Sequence, residues 1–146
     1  MFDPQADTLR YANSQPPNTV EYIYKKITLK AGEYFSLELK YSDIKIYFRD
    51  IEQHKFTTSL GQSTQDAAKL YIDTGGGIIH GGKITISTKV NEYLVPVKYD
   101  LEEPYSLYFY YAKEDTIRFF RVFVSHINSY AKEVELDIAY LRYMTN

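Results

Sequence analysis

At 146 residues the chain has the length of one domain, and a polypeptide of this size closes about 70% of its unfolded surface into a single core. A formal net charge of -2 and a pI near 5.9 give it no general positive field for holding a phosphate backbone. With no cysteine it has neither disulfides nor thiolate-ligated metals, and no stretch approaches the roughly 20 apolar residues of a membrane-spanning helix, so a core or an assembly must hold the fold. Sixteen tyrosines against eight phenylalanines and no tryptophan favour strands and contact surfaces, where the ring packs and the hydroxyl meets water or a partner.

The first nineteen residues are polar and aperiodic, with Pro4, Pro16-Pro17 and scattered Phe2, Leu9 and Tyr11, and read as an extended N-terminal arm. From residue 20 to 146 the dominant period is two, the period of a strand. Val20 to Leu29 places Ile23, Ile27 and Leu29 on one face and Tyr22 and Tyr24 on the other. Ala31-Gly32 turns the chain into Glu33 to Lys40, with Phe35, Leu37 and Leu39 alternating, and Ser42-Asp43 turns it again into Ile44 to Arg49, with Ile44, Ile46 and Phe48 on one side. Lys55 to Leu60 is a weaker strand, Ser63 to Ala68 reads as a short helical turn capped by Ser63 or Thr64, and Lys69 to Asp73 returns to strand.

A glycine-rich loop spans Gly75 to Gly82 and contains His80. Beyond it come Ile84 and Ile86, then Tyr93 to Lys98. Pro96 removes a ladder donor there, which predicts an edge strand or a bulge. Tyr105 to Tyr111, Ile117 to Val124 and Glu133 to Met144 complete the set. About eight or nine antiparallel strands separated by short turns predict one all-β domain, a two-sheet, jelly-roll-like sandwich.

Two strands break the alternation expected of a sheet with one wet face. Tyr105 to Tyr111 and Ile117 to Val124 are apolar or aromatic on both sides, so their outer face requires a cover. Subunit contact is the expectation, with Tyr108, Tyr110, Phe120, Val122 and Val124 as interface candidates; internal cover and a ligand groove are the alternatives.

Catalytic patterns fall short. Asp73-Thr74-Gly75 resembles the catalytic loop of retroviral-type aspartic proteases, which pair two aspartates across a dimer, but no glycine follows Gly82 to supply the family's supporting loop. Gly77 to Lys83 matches the opening of a phosphate-binding loop, and then Ile84 stands where magnesium requires Ser or Thr. His54, His80 and His126 lack the close spacing of a preorganised metal site, and the acids Asp50 with Glu52, Glu102-Glu103 and Glu114-Asp115 fall in predicted turns.

The expectation is therefore a non-enzymatic structural protein without cofactor or metal. A virion subunit such as a capsid vertex, minor capsid or tail-associated protein, made in the host cytoplasm and partnered by its own copies and neighbouring structural proteins, fits best. The alternative is a carbohydrate- or receptor-binding module outside the cell or on its surface, with Tyr22, Tyr24 and His80 as contact residues and a glycan as possible ligand. Nucleic acid is not an expected partner.

Overall fold

The computed structural model describes residues 19–40, 43–74, 79–80, 86–89, 91–98, 100–101, 105–113 and 116–144. The N-terminal arm and most of the glycine-rich loop lie outside them. Among the described residues ten strands form two antiparallel sheets: β1 Thr19–Lys30, β2 Tyr34–Leu37, β3 Ile44–Thr58, β4 Gly61–Asp73, β5 Ile79–His80, β6 Ile86–Lys89, β7 Glu92–Pro96, β8 Leu107–Lys113, β9 Thr116–Asn128 and β10 Glu133–Met144. The first sheet has the order β1-β10-β9-β8-β5 and the second β2-β3-β4-β7-β6. The two pack face to face as a sandwich.

Alternation fixes which side chains meet. Ile44, Ile46 and Phe48 of β3 turn inward to join Leu70 and Ile72 of β4, and Phe120, Val122 and Val124 of β9 meet Leu136, Ile138 and Tyr140 of β10 in the same core. A polar row closes one end of this core: the Arg142 guanidinium lies 3.2 Å from Glu21, and Arg118 Nε donates to the Tyr140 hydroxyl at 2.9 Å. These groups are drawn from β1, β9 and β10. The Arg142 side chain is only 7% exposed and that of Glu21 18%, so the pair carries a desolvation cost that its mutual attraction must offset.

Three local expectations are corrected. Ser63 to Ala68 is strand, not a helical turn: the segment pairs with Phe56 to Ile51 along β3, and ladder hydrogen bonds outweigh its weak local preference. The separate weak strand expected from Lys55 is the far half of a single fifteen-residue β3. β7 is not an edge strand, since it lies between β4 and β6. Pro96 is tolerated because it is the last residue of β7, beyond the stretch Glu92–Leu94 that pairs with β6.

The β3-β4 hairpin closes tightly at Gly61, whose φ of +118° only glycine takes without strain. Thr58 Oγ1 donates to the Gly61 carbonyl at 3.0 Å and accepts from the Leu60 amide at 3.2 Å.

Candidate contact surface

The outer side of the second sheet carries a row of tyrosines that no local sequence pattern singles out. Tyr34 of β2 lies opposite Tyr47 of β3, and Tyr47 lies opposite Tyr71 of β4. The Tyr34 and Tyr47 rings are 5.2 Å apart at 31°, and Tyr47 and Tyr71 are 5.6 Å apart at 69°. Such tilted and edge-to-face pairs are the favoured aromatic geometries. Tyr34 stays 57% exposed, so the row reaches open solvent at the β2 edge.

Arg49 completes the row. Phe48 pairs with Leu70 and Asp50 with Lys69, which leaves Arg49 as the extra residue of a bulge. The bulge turns its guanidinium over two rings, 5.4 Å from the Tyr71 centroid and 6.0 Å from that of Tyr47. A cation over ring faces is attracted to their negative quadrupole. Beside the row, Lys69 holds Glu52 at 2.8 Å, and that hydrogen bond raises the lysine above its ordinary range.

The outer side of the first sheet has an apolar part around Phe119 and a charged part around Asp137. Phe119 and Leu141 form a small cluster with half-buried Tyr22, Tyr108 and Ile117, and Tyr108 meets Phe119 edge-on at 4.2 Å. The Arg121 guanidinium sits 5.7 Å from the Tyr108 ring and 5.2 Å from that of Phe123, and burial pulls its pKa down to about 10. Further along, Asp137 is almost wholly buried. It receives Lys98 at 3.3 Å, Lys26 at 3.5 Å and the Tyr24 hydroxyl at 3.4 Å. Lys26 also reaches Glu135 at 3.1 Å, and the Ser125 hydroxyl donates to the same carboxylate at 2.9 Å.

The expected interface residues are thus divided by the fold. Phe120, Val122 and Val124 point into the core and are fully buried within one copy, so they are packing residues rather than contacts with a neighbour. Tyr108 alone of that set has its side chain described on the outer side; Tyr110 belongs to β8, with its side chain outside the described residues. Tyr22 and Tyr24 share the outer face of the first sheet, one packed on Leu141 and one bonded to Asp137. His80 belongs to β5, and its side chain too is outside the described residues.

Among the described residues no group of three or more His, Asp or Glu side chains could hold a metal ion. His54 stacks edge-on against Phe56 at 4.9 Å, and His126 is exposed on β9. Asp73 ends β4 in solvent, while Gly75 and the Gly77 to Lys83 stretch fall outside the described residues. Asp50 and Glu52, close in sequence, are engaged with different lysines, Lys132 at 3.3 Å and Lys69 at 2.8 Å. No known protein family, curated protein or solved structure matches the chain.

Proposed function

We propose that this chain is a non-enzymatic structural and assembly protein, a virion-type subunit that associates with further copies of itself through the outer face of the second sheet. The observation that carries the reading is the row Tyr34, Tyr47 and Tyr71 capped by Arg49. Tyrosine and arginine are the residues enriched in protein interfaces and among the few side chains that dominate binding energy. Rings locked against one another, with a guanidinium laid over them, are already ordered, so little rotamer entropy remains to be lost on contact. The sandwich presents this face at one side and, at the other, a face that is apolar around Phe119 and charged around Asp137. That polarity suits a head-to-tail ring of subunits, in which two different patches meet.

The placement in a virion, assembled in a host cytoplasm, is an analogy with the jelly-roll-like sandwiches of capsid vertex, minor capsid and tail-associated subunits. In this chain the meanders β2-β3-β4 and β8-β9-β10 occupy opposite sheets. Partners under this reading are protein subunits, with no nucleic acid and no cofactor.

A second reading is a carbohydrate- or receptor-binding module, favoured by the exposed ring of Tyr34. Sugar stacking wants ring faces turned outward in one plane, and the 31° and 69° tilts turn these faces toward each other and toward Arg49. The protein contact is therefore preferred. Arg49→Glu and Tyr47→Ser separate the two: the assembly reading requires each to lower the mass in solution while the β circular-dichroism spectrum is kept. Saturable retention on a glycan affinity gel by a protein that stays monomeric would favour the module instead.

A further inference from the structure

Lys98 and Asp137 reach each other from different sheets. Lys98 follows β7 of the second sheet by two residues, and Asp137 stands within β10 of the first. Lys98 Nζ lies 3.3 Å from Asp137 Oδ2, with the aspartate side chain 2% exposed and the lysine side chain 17%. Both backbones are fixed. The Lys98 amide donates to the Val124 carbonyl at 2.9 Å, the Lys98 carbonyl accepts from the Tyr105 amide at 3.0 Å, and Val97 bridges to Val124. Asp137 is paired on either side, with Lys26 of β1 and Phe123 of β9. Its second carboxylate oxygen is held separately: Lys26 Nζ stands 3.5 Å from Oδ1, and the Tyr24 hydroxyl donates to Oδ1 at 3.4 Å.

We propose that Lys98 and Asp137 condense into an amide, an isopeptide staple between the two sheets. Through their hydrogen bond Lys98 Nζ passes a proton to Oδ2, and the neutral amine attacks Cγ of the resulting carboxylic acid. Negative charge then collects on Oδ1, where the Lys26 ammonium and the Tyr24 hydroxyl stabilise it. The Nζ–Cγ bond forms and the Cγ–Oδ2 bond breaks, while Oδ2 takes a second proton from Nζ and leaves as water. Ammonium and carboxylate thus become amide and water, and no oxidant, cofactor or activated group is consumed.

In dilute solution the ion pair is favoured over the amide. Well-oriented groups fixed within one molecule react at effective molarities of about 10⁵–10⁸ M, which turns the balance, and keeping water from Asp137 opposes hydrolysis of the product. Lys26 is a poorer nucleophile for the same carboxyl, because its side chain is 54% exposed and its ammonium is shared with Glu135 at 3.1 Å. Before the step Lys98 and Asp137 act as an ion pair; after it they give a chain without cysteine a covalent tie between its sheets. The staple does not depend on the assembly reading, since both residues belong to one copy.

Mass spectrometry of the folded full-length chain tests the proposal. The staple predicts an intact mass lower than that of the sequence by one water, and after proteolysis a branched peptide that joins residues 98 and 137. Lys98→Arg keeps a positive charge opposite Asp137 and is expected to restore the full sequence mass, with Lys98→Met as the second variant should the arginine disturb folding. A native chain that still has its full sequence mass after days in the folded state would overturn the proposal. A loss of water mapped to any other pair, Lys26 with Asp137 included, would overturn it as well.

Discussion

Phe119 and Phe120 are consecutive in β9, point to opposite sides of one sheet, and are both shut off from water. Phe120 packs against Phe109 at 5.8 Å in the sandwich core, and Phe119 packs against Tyr108 at 4.2 Å outside it. A strand of such a sandwich ordinarily has one wet face, so this pair divides the apolar content of β9 between two separate burials.

The first prediction separates core from interface. Phe120→Ala removes a ring with no exposed area, and large-to-small changes of this kind cost about 3–5 kcal/mol. Urea unfolding at a fixed protein concentration is expected to show that loss. Unchanged stability combined with a lower mass in solution would return Phe120 to the interface.

The second prediction contrasts two buried tyrosines. The Tyr105 ring packs on Phe56 and its buried hydroxyl has no hydrogen-bond partner among the described residues, whereas the Tyr140 hydroxyl accepts from Arg118. Tyr105→Phe therefore removes a desolvated group that gains nothing, and is expected to leave stability unchanged or raise it by up to about 1 kcal/mol. Tyr140→Phe removes one acceptor from a charged donor and is expected to cost about 1–2 kcal/mol. Thermal unfolding of the two variants checks the order; a larger loss at Tyr105 would contradict it.

The third prediction concerns pH. Burial pushes the Tyr105 hydroxyl up to about 12, from 10.0 for an unperturbed tyrosine. Between those values the unfolded chain has released a proton that the fold still holds, so stability falls as pH rises from about 10 toward about 12. Burial raises Tyr93 and Tyr140 in the same direction. On the acid side, the Ser125 hydroxyl and then Lys26 hold the Glu135 carboxyl below its ordinary range. Its contribution is complete above the ordinary carboxylate value and is lost as pH falls through the depressed one. Ultraviolet titration of the phenols and urea midpoints across pH follow both arms; Ser125→Ala should shrink the acid one.

The fourth prediction removes the shared carboxylate on the outer face of the first sheet. Asp137→Ala leaves Lys98, only 17% exposed at its side chain, facing a methyl group, while Lys26 can turn to water. Losing one partner of a buried charge is the costly half of an ion pair, and a destabilisation of about 1–3 kcal/mol is expected. Asp137→Asn should recover part of it by accepting from Lys98 and the Tyr24 hydroxyl.

Period-two alternation was enough to read part of the core. The inward set Ile44, Ile46 and Phe48, and the split of Ile23 and Ile27 from Tyr22 and Tyr24, are legible because each of those strands states its own faces, whereas Phe120, Val122 and Val124 of a two-sided strand were expected at an interface and lie in the core. Register is not written locally. Tyr34, Tyr47 and Tyr71 are three outward residues on three strands, and only the pairing of those strands makes them neighbours. Arg49 is hidden for the same reason, since a bulge exists only relative to a partner strand. Ser63 to Ala68 misleads because its small and polar residues carry no alternation, and its conformation is imposed by β3. The two-sided strands announce that something covers them, but Phe119 and Phe120 are equally apolar, and nothing in their own segment says which one meets the core.

Light scattering of the purified protein across a dilution series, for the native chain beside Arg49→Glu, tests the assembly account most directly. The account predicts a native mass that is a whole multiple of 17.1 kDa and holds steady on dilution, with the variant falling to 17.1 kDa while keeping its β spectrum. A native protein that weighs 17.1 kDa at every concentration would contradict it.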